Sequence, residues 1–114
     1  MSEFQRRFDS AICKVVTQIG VGRVMSYGEV ARAAGFPRHA RMVSKAMSRS
    51  RARLPWHRVV RSNRTLAFPV GSDSYEKQAR LLDKEGINIV KGKVIPQISD
   101  GDKSLDELLW GNED

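Results

Sequence analysis

Residues 26–50 read SYGEVARAAGFPRHARMVSKAMSRS and contain the clearest structural signal in the chain. Ser26 and Glu29 stand three residues apart, which is the spacing of a capping box at the start of a helix. Gly35 closes this short helix, and Pro37 favours the start of a second one that we expect to run to the end of the quoted segment. Two short helices joined by a tight turn that contains glycine are typical of a helix-turn-helix.

The second predicted helix has a one-sided distribution of charge. At about 100° per residue, its basic side chains fall in one narrow stripe, and its small or apolar side chains fall on the opposite face. The stripe contains Arg38, Arg41, Lys45 and Arg49. The opposite face contains Ala40, Val43, Ala46 and Met47. A recognition helix has this arrangement, because it packs inward through the apolar face and contacts DNA phosphates through the basic one.

Shorter signals outside this segment predict the remaining elements. Apolar residues at helical spacing indicate a first helix from Phe4 to Ile19, which Gly20 ends. The other predicted elements are a strand over Arg58–Arg61, a helix capped by Asp73 or Ser74 and ending at Gly86, and a hairpin, or wing, of Ile87–Val90 with Lys93–Ile95. The predicted fold class is mainly α with a small β component (α+β), arranged as a winged helix-turn-helix.

The charge balance indicates a nucleic-acid partner. The chain has 114 residues, which favours one domain over 1–114, and its 20 Lys and Arg against 13 Asp and Glu give a net charge of +7. No acidic residue occurs between Glu29 and Asp73, whereas residues from about 99 to 114 form an acidic tail. A basic domain of this size is more often a partner of nucleic acid than of a membrane.

The cysteine and histidine counts exclude several kinds of site. One cysteine cannot form an intramolecular disulfide, and two histidines beside it are too few for a typical structural zinc site. We therefore expect no metal and no cofactor. The charged N-terminal residues and the lack of a long apolar run predict no membrane segment. The expected location is the cytoplasm, in association with the nucleoid if the source is prokaryotic.

One motif points to a particular family. Residues 54–60, LPWHRVV, resemble the Pro-Cys-His-Arg-Val active-site signature of the O6-alkylguanine-DNA alkyltransferases. Residues 22–31 resemble the entry to that family's helix-turn-helix, residues 35–43 its recognition segment, and residues 81–86 the segment that follows its active site. The order and approximate spacing of these segments agree over roughly residues 4–95, which is most of the chain.

The chain departs from the signature at the nucleophile. Alkyltransferases have cysteine at the position of Trp56, and methyl transfer needs a thiolate there. An indole N–H is a donor and not a nucleophile, so Trp56 cannot accept an alkyl group. The chain therefore resembles the alkyltransferase-like proteins, which bind alkylated DNA without repairing it. Cys13 lies far from the motif in sequence, at the margin of an apolar helix face.

The resemblance implies roles for individual residues. Tyr27 and Arg41 match the residues that drive the nucleotide out of the duplex and fill the space it leaves, and Ala40 matches a small residue that approaches the minor groove. The implied base pocket consists of Met47, Pro55, Trp56 and Val59. The other implied DNA contacts are Ser26, Arg38, Ala40, Lys45, Arg49 and Arg58. His57 and Glu85 match the former catalytic network and are expected to be structural here, with Arg58 supporting them.

The function implied by the resemblance is that of a non-enzymatic DNA damage sensor. Such a protein binds O6-alkylguanine in duplex DNA through the minor groove, flips the damaged base into a pocket without dealkylating it, and signals to nucleotide excision repair proteins. A monomer is expected. The residues leave two alternatives open. One is a winged-helix transcriptional regulator or architectural DNA-binding protein, and the other is an enzyme that uses Cys13 as alkyl acceptor or His57 in hydrolysis.

Two further departures concern side chains around the predicted pocket. Pro69 stands where some relatives have an arginine that stacks on the lesion, so Arg61 or Arg64 would have to supply that cation. The alkyltransferases also have an asparagine hinge just after the recognition helix. Ser50 is the nearest residue to it here.

Overall fold

The computed structural model describes residues 2–95 and has a mainly helical fold with two small sheets. The helices are α1 (Glu3–Thr17), α2 (Tyr27–Ala33), α3 (Val43–Ser48) and α4 (Asp73–Lys84), with 3-10 turns at Ala40–Met42 and Trp56–Arg58. The strands are β1 (Met25–Ser26), β2 (Val59–Val60), β3 (Ile89–Val90) and β4 (Lys93–Val94). The predicted acidic tail lies outside the described residues.

Helices α1, α2 and α3 enclose the main core. Helix α1 begins where the Ser2 hydroxyl accepts the Gln5 N–H at 3.1 Å, and it buries Phe8, Ile12 and Val16 completely. These side chains pack against buried residues of the other two helices and of β2: Val30, Ala31, Val43, Ala46 and Val59. The helix ends at Thr17, two residues before the predicted end, although Ile19 remains buried in the same core. Burying this apolar surface is the main stabilising contribution to the fold.

The capping box at the start of α2 is confirmed. The Ser26 hydroxyl accepts the Glu29 N–H at 3.1 Å, and a Glu29 carboxylate oxygen accepts the Ser26 N–H at 2.8 Å. Helix α2 ends at Ala33, and Gly35 follows with φ 91°, a left-handed conformation that glycine adopts without strain. Ser26 also pairs, through β1, with β2 in a parallel arrangement, so the cap is fixed to the strand at the end of the motif.

The prediction of one continuous second helix from Pro37 onward is wrong. The chain instead forms a turn, the 3-10 turn Ala40–Met42 and then the short helix α3. The backbone of His39 is not helical, with φ −118° and ψ 28°, and its ring packs among Phe4, Phe8 and Phe36 at centroid distances of 5.2–6.0 Å. This aromatic contact with α1 overrides the local helix preference. The predicted basic stripe is therefore divided among a turn, a 3-10 turn and a helix.

The wing and α4 form a second, smaller core. It contains Val60, Leu66, Leu82, Ile87 and Val94. The wing strands pair antiparallel, and the connecting Lys91 and Gly92 both have positive φ, as in the tight turns of β-hairpins. The hairpin is thus confirmed, with strands shorter than predicted.

Two boundary predictions around α4 and β2 need correction. The N-cap of α4 is Ser72, whose hydroxyl accepts the Tyr75 N–H at 3.1 Å, and not Asp73 or Ser74. The strand predicted over Arg58–Arg61 contains only Val59–Val60, because the motif residues before it form a 3-10 turn. No helix among the described residues 2–95 is long and apolar enough to cross a membrane, and this part of the chain holds no cluster of potential metal ligands.

Candidate nucleic-acid interface

Three of the predicted DNA-contacting cations are exposed at the helix-turn-helix. Arg38 lies in the turn after α2, Arg41 on the 3-10 turn and Lys45 on α3. Within residues 2–95, none of them belongs to an ion pair. Ala40, next to Arg41, is half-buried and adds little bulk to this surface. The surface is therefore positive, with cations that are free to meet phosphate groups.

Tyr27 lies at the first position of α2, beside this positive surface. Its side chain is half-buried against the main core. Burial raises the pKa of the Tyr27 phenol above its ordinary value, although the charge of Arg61 and a hydrogen bond with Ser44 act in the opposite direction. The phenol is therefore protonated at neutral pH and can donate a hydrogen bond to a phosphate oxygen.

Arg49 and Ser26 have structural partners at positions where DNA contacts were predicted. The Arg49 guanidinium binds Asp9 of α1 with two hydrogen bonds of 2.7 and 2.8 Å. This bidentate pair fixes α1 to the end of α3 and uses two of the five N–H donors of the guanidinium. The Ser26 hydroxyl caps α2, and the residue is buried. The structure therefore gives both residues an intramolecular partner, and their DNA contacts stay predictions.

An open cleft lies beside the recognition elements. Its volume is about 680 Å³, within the range of small-molecule pockets. It is lined by Ser44, Met47, Ser48, Ala52, Arg53, Leu54, Trp56, Phe68 and Lys77. Met47 and Trp56 line this cleft, where the sequence placed the base pocket. Val59 does not, because it lies in β2 and is buried in the main core, and Pro55 only precedes the 3-10 turn.

Phe68 is a cleft residue that the sequence analysis missed. Its ring meets the Trp56 ring edge-to-face, with centroids 6.0 Å apart and an interplanar angle of 77°. The two rings give the cleft an aromatic wall built from segments twelve residues apart. In the sequence, only its aromatic character could have indicated this residue. It lies in segment 66–71, where the apolar residues follow neither helical nor strand spacing.

Gln78 holds the two sides of that aromatic wall together. It lies on α4 and is fully buried. Its side-chain amide donates to the carbonyl oxygens of His57 and Val59 at 3.1 and 3.0 Å, and its carbonyl accepts the Ala67 N–H at 3.0 Å. The turn that presents Trp56 and the segment that presents Phe68 are thus connected through one side chain. A glutamine on the apolar face of an amphipathic helix was the signal for this residue.

Behind the cleft, Glu85 is the centre of a polar network. One carboxylate oxygen lies 2.7 Å from His57 Nε2, and Arg58 donates to the same carboxylate at 2.8 and 3.0 Å. Arg58 also donates to the Ile19 carbonyl at 2.8 Å, and its side chain is only 13% exposed. The network encloses the guanidinium of Arg58, and its DNA contact stays a prediction. His57 and Glu85, which the resemblance assigns to one network, are in contact here.

The network around Glu85 predicts how the free energy of unfolding changes at acidic pH. Hydrogen bonds from Arg58 lower the pKa of Glu85 from its ordinary 4.5 to about 2; burial opposes this effect, and His57 and the Gly22 N–H reinforce it. Because the folded-state pKa is the lower one, the stabilisation is present above about pH 4.5 and is lost as the pH falls toward 2. We expect about 2–3 kcal/mol of unfolding free energy to disappear over this range.

Urea unfolding between pH 6 and pH 2.5 tests this prediction. Glu85→Gln should be less stable at pH 6 and should show a flatter acid profile than the unmodified chain. Glu76→Gln, at an exposed site on α4, is the matched control and should follow the unmodified chain. Parallel profiles for the unmodified chain and Glu85→Gln would show that Glu85 does not control acid stability.

Of the two candidates for the cation absent at Pro69, neither lies in the cleft. Arg64 donates to a Glu29 carboxylate oxygen at 2.8 Å, and Arg61 lines a separate cleft of about 260 Å³ near the wing. The cations on the main cleft are Arg53 and Lys77, which the sequence analysis did not single out. They come from a loop and from α4, so no local pattern places them beside Trp56.

Comparisons with known proteins agree with this arrangement. The family model described as the DNA-binding domain of 6-O-methylguanine DNA methyltransferase matches residues 7–87. Alkyltransferase-like protein 1 of Schizosaccharomyces pombe is 32% identical over 112 residues, covering 96% of each chain. The DNA base-flipping protein of Vibrio parahaemolyticus is 38% identical over 86 residues, covering 73% of this chain and 84% of that one.

Solved structures of alkyltransferase-like and alkyltransferase proteins also resemble this fold. The structure of S. pombe Atl1 in complex with damaged DNA containing O6-carboxymethylguanine matches with a TM-score of 0.69 and 32% identity, covering 81% of this chain and 90% of that chain. Mycobacterium tuberculosis OGT in complex with DNA matches with a TM-score of 0.59 and 30% identity, covering 75% and 50%. The mainly helical fold with a small β component is the one predicted from the sequence.

Proposed function

The chain belongs to the family defined by the DNA-binding domain of 6-O-methylguanine DNA methyltransferase, and on that premise we propose that it is a sensor of DNA alkylation damage. It binds O6-alkylguanine in duplex DNA from the minor groove and turns the damaged base into the cleft. It does not remove the alkyl group. Relatives of this chain are named alkyltransferase-like and DNA base-flipping proteins.

One observation supports the proposal above the others: Trp56 stands at the nucleophile position and lines an open cleft. The pair formed by His57 and Glu85 remains at 2.7 Å behind it. A nucleophile would need a thiolate beside that pair, and an indole cannot take its place. The site therefore retains a place for the base and lacks the atom that would react with it.

The energetics of base flipping are consistent with this site. Extruding a base from a duplex costs a few kcal/mol, and less for a base whose Watson–Crick edge is damaged, as an O6-alkyl group damages that of guanine. The exposed Arg41 can enter the space left in the duplex, and the rings of Trp56 and Phe68 can stack on the extruded base. These contacts offset the remaining cost preferentially for a damaged base.

The alternatives account for fewer features. A transcriptional regulator or architectural protein would use the exposed cations, but would leave the cleft with its aromatic wall unexplained. An enzyme with Cys13 as acceptor would need that thiol near the base. Cys13 lies on α1 and does not line the cleft. Hydrolysis by His57 would need its ring to face the cleft, whereas His57 does not line the cleft and its Nε2 faces Glu85.

A lesion that is bound but not repaired must pass to another pathway. We propose that the complex is presented to nucleotide excision repair proteins, and that the protein acts in the cytoplasm as a monomer. The wing and the acidic tail are the candidate docking surfaces for the repair partner. A bend in the DNA, which base flipping commonly produces, would provide a second signal.

The proposal is tested by titrating two duplexes of identical sequence, one with O6-methylguanine and one with guanine, at a fixed salt concentration. We expect the alkylated duplex to bind at least about tenfold tighter, because the cost of extrusion is lower. The protein mass and the base composition of the bound DNA should be unchanged after prolonged incubation. Equal affinities would reject the sensor function, and a gain of one methyl group by the protein would reject the non-enzymatic mechanism.

A further inference from the structure

A second cleft, the wing cleft, lies between the turn after β2 and the wing. Its volume is about 260 Å³, which is below the usual range of small-molecule pockets. Phe68 lines both this cleft and the one beside Trp56, so the two adjoin at that ring. The wing cleft is therefore a neighbour of the base site, and it is too small to take a second base and sugar together.

The charge of the wing cleft is entirely positive. Arg61, from the turn after β2, and Lys91, from the turn between β3 and β4, both line it, and none of its lining residues is a carboxylate. The other lining side chains are polar but uncharged, or apolar. Both cations are exposed, and neither takes part in an ion pair within residues 2–95. They are thus available to an anionic ligand.

Backbone hydrogen bonds hold the two segments that carry these cations against each other. The Leu66 N–H donates to the Gly92 carbonyl at 3.0 Å, and the Val94 N–H donates to the Arg64 carbonyl at 2.8 Å. The Arg64 N–H in turn donates to the Arg61 carbonyl at 2.8 Å, which closes the turn. The walls of the wing cleft are therefore fixed before a ligand arrives, which lowers the cost of binding one.

The turn that carries Arg61 is also attached to the start of α2. Arg64, in a left-handed conformation with φ 70°, donates to a Glu29 carboxylate oxygen at 2.8 Å. Burial raises the pKa of the Tyr27 phenol, and the charge of Arg61 acts in the opposite direction, so the guanidinium lies near that phenol. Arg61 thus connects the wing cleft with the positive surface of the helix-turn-helix.

We propose, on the basis of the proposed function, that the wing cleft binds a backbone phosphate of the DNA strand that carries the lesion, through Arg61 and Lys91. The ligand class is a phosphodiester. Because Phe68 lines both clefts, a base held against that ring brings its own strand next to the wing cleft. Arg61 is then a phosphate contact and does not replace the cation that is absent at Pro69.

A phosphodiester matches the chemistry of this cleft. It carries a full negative charge and accepts charge-assisted hydrogen bonds from both a guanidinium and an ammonium group. The apolar part of the lining can contact the adjoining deoxyribose. Each phosphate that a cation neutralises also releases counter-ions from the DNA, so each contact increases the dependence of affinity on salt.

Salt titrations with an O6-methylguanine duplex measure the contribution of each cation. Arg61→Gln and Lys91→Gln should each weaken binding by about 3- to 10-fold near 0.1 M salt, and should each reduce the slope of log affinity against log salt by about 1. Arg61→Lys keeps the charge and should retain most of the slope. Arg80→Gln and Lys84→Gln are matched controls, because they remove exposed cations that line neither cleft, and the slope should not change.

Neutral methylphosphonate linkages identify the phosphate that is bound. The linkages on either side of the lesion are replaced one at a time, first on the lesion strand and then on the opposite strand. On the lesion strand, one linkage or two adjacent linkages should abolish the effects of Arg61→Gln and Lys91→Gln. The reason is that the charge each cation contacts is then already absent, so the two changes are not additive.

Three results would overturn the proposal. They are an unchanged affinity and salt slope in either glutamine variant, effects that persist with every methylphosphonate of the lesion strand, and coupling to the opposite strand alone. The same titrations measure the preference of the unmodified chain for the O6-methylguanine duplex over the guanine duplex. Loss of that preference would reject the sensor function, whereas any of the three results with the preference intact would reject only the phosphate site.

Discussion

Replacing Arg41 by alanine is expected to weaken binding to an O6-methylguanine duplex by about 30- to 1000-fold, the range of an interface hot spot worth about 2–4 kcal/mol. Arg41 is exposed on the 3-10 turn Ala40–Met42 and has no ion pair within residues 2–95. Its removal therefore leaves the fold intact and removes the side chain that would fill the gap in the base stack. Binding to the undamaged duplex, which does not require extrusion, should fall much less.

Three neighbouring basic residues serve as controls for Arg41. Arg38→Ala and Lys45→Ala should weaken binding to damaged and undamaged duplexes by a similar, small factor, because phosphate contacts do not distinguish the bases. Arg49→Ala should change DNA affinity least, since its guanidinium is held by Asp9. Arg41→Lys retains the charge without the planar guanidinium and should recover only part of the loss. A uniform effect of Arg41→Ala on both duplexes would reject its role in filling the duplex.

Replacing Trp56 by alanine is expected to remove most of the preference for alkylated DNA. Stacking of a base on an aromatic side chain is worth about 1–3 kcal/mol by alanine substitution, which corresponds to about 5- to 150-fold in affinity. Trp56 supplies that surface on the cleft, supported edge-to-face by Phe68. Electrostatic binding to undamaged DNA should persist, because Arg38 and Lys45 are unaffected. Titration of the two duplexes at one salt concentration measures both effects.

A conservative variant separates stacking from folding at this position. Trp56→Phe retains an aromatic face and should keep most of the lesion preference, with an unfolding midpoint close to that of the unmodified chain. If Trp56→Ala retains full preference while remaining folded, stacking on the indole does not produce the preference. The base would then be held by other residues of the cleft.

The elements that the sequence could predict are those defined by local patterns. The capping box of Ser26 and Glu29, the turn at Lys91 and Gly92 and the apolar face of α1 each depend on residues a few positions apart. The interrupted recognition segment could not be predicted in this way. His39 leaves the helical conformation because its ring packs against Phe4 and Phe8 of α1, which lie more than about 30 residues earlier in the chain.

The site, like the fold, was predictable from the sequence where its residues belong to a short local motif. The motif resemblance located Trp56, His57 and Glu85, because these residues belong to short, ordered segments. It did not indicate that Val59 is buried in the main core or that the Glu85 carboxylate binds Arg58. Phe68, Lys77 and Gln78 were missed because their importance arises only when α4 and the segment before it fold against the motif.

Entry of an alkylated guanine into the cleft against Trp56 can be followed through the fluorescence of that residue. The chain has two tryptophans, so Trp110→Phe leaves Trp56 as the sole indole. At concentrations that saturate the protein with each DNA, the O6-methylguanine duplex should quench Trp56 fluorescence strongly by stacking on the ring, and the undamaged duplex should quench it little. Equal quenching by both saturated duplexes would show that the alkylated base does not stack on Trp56.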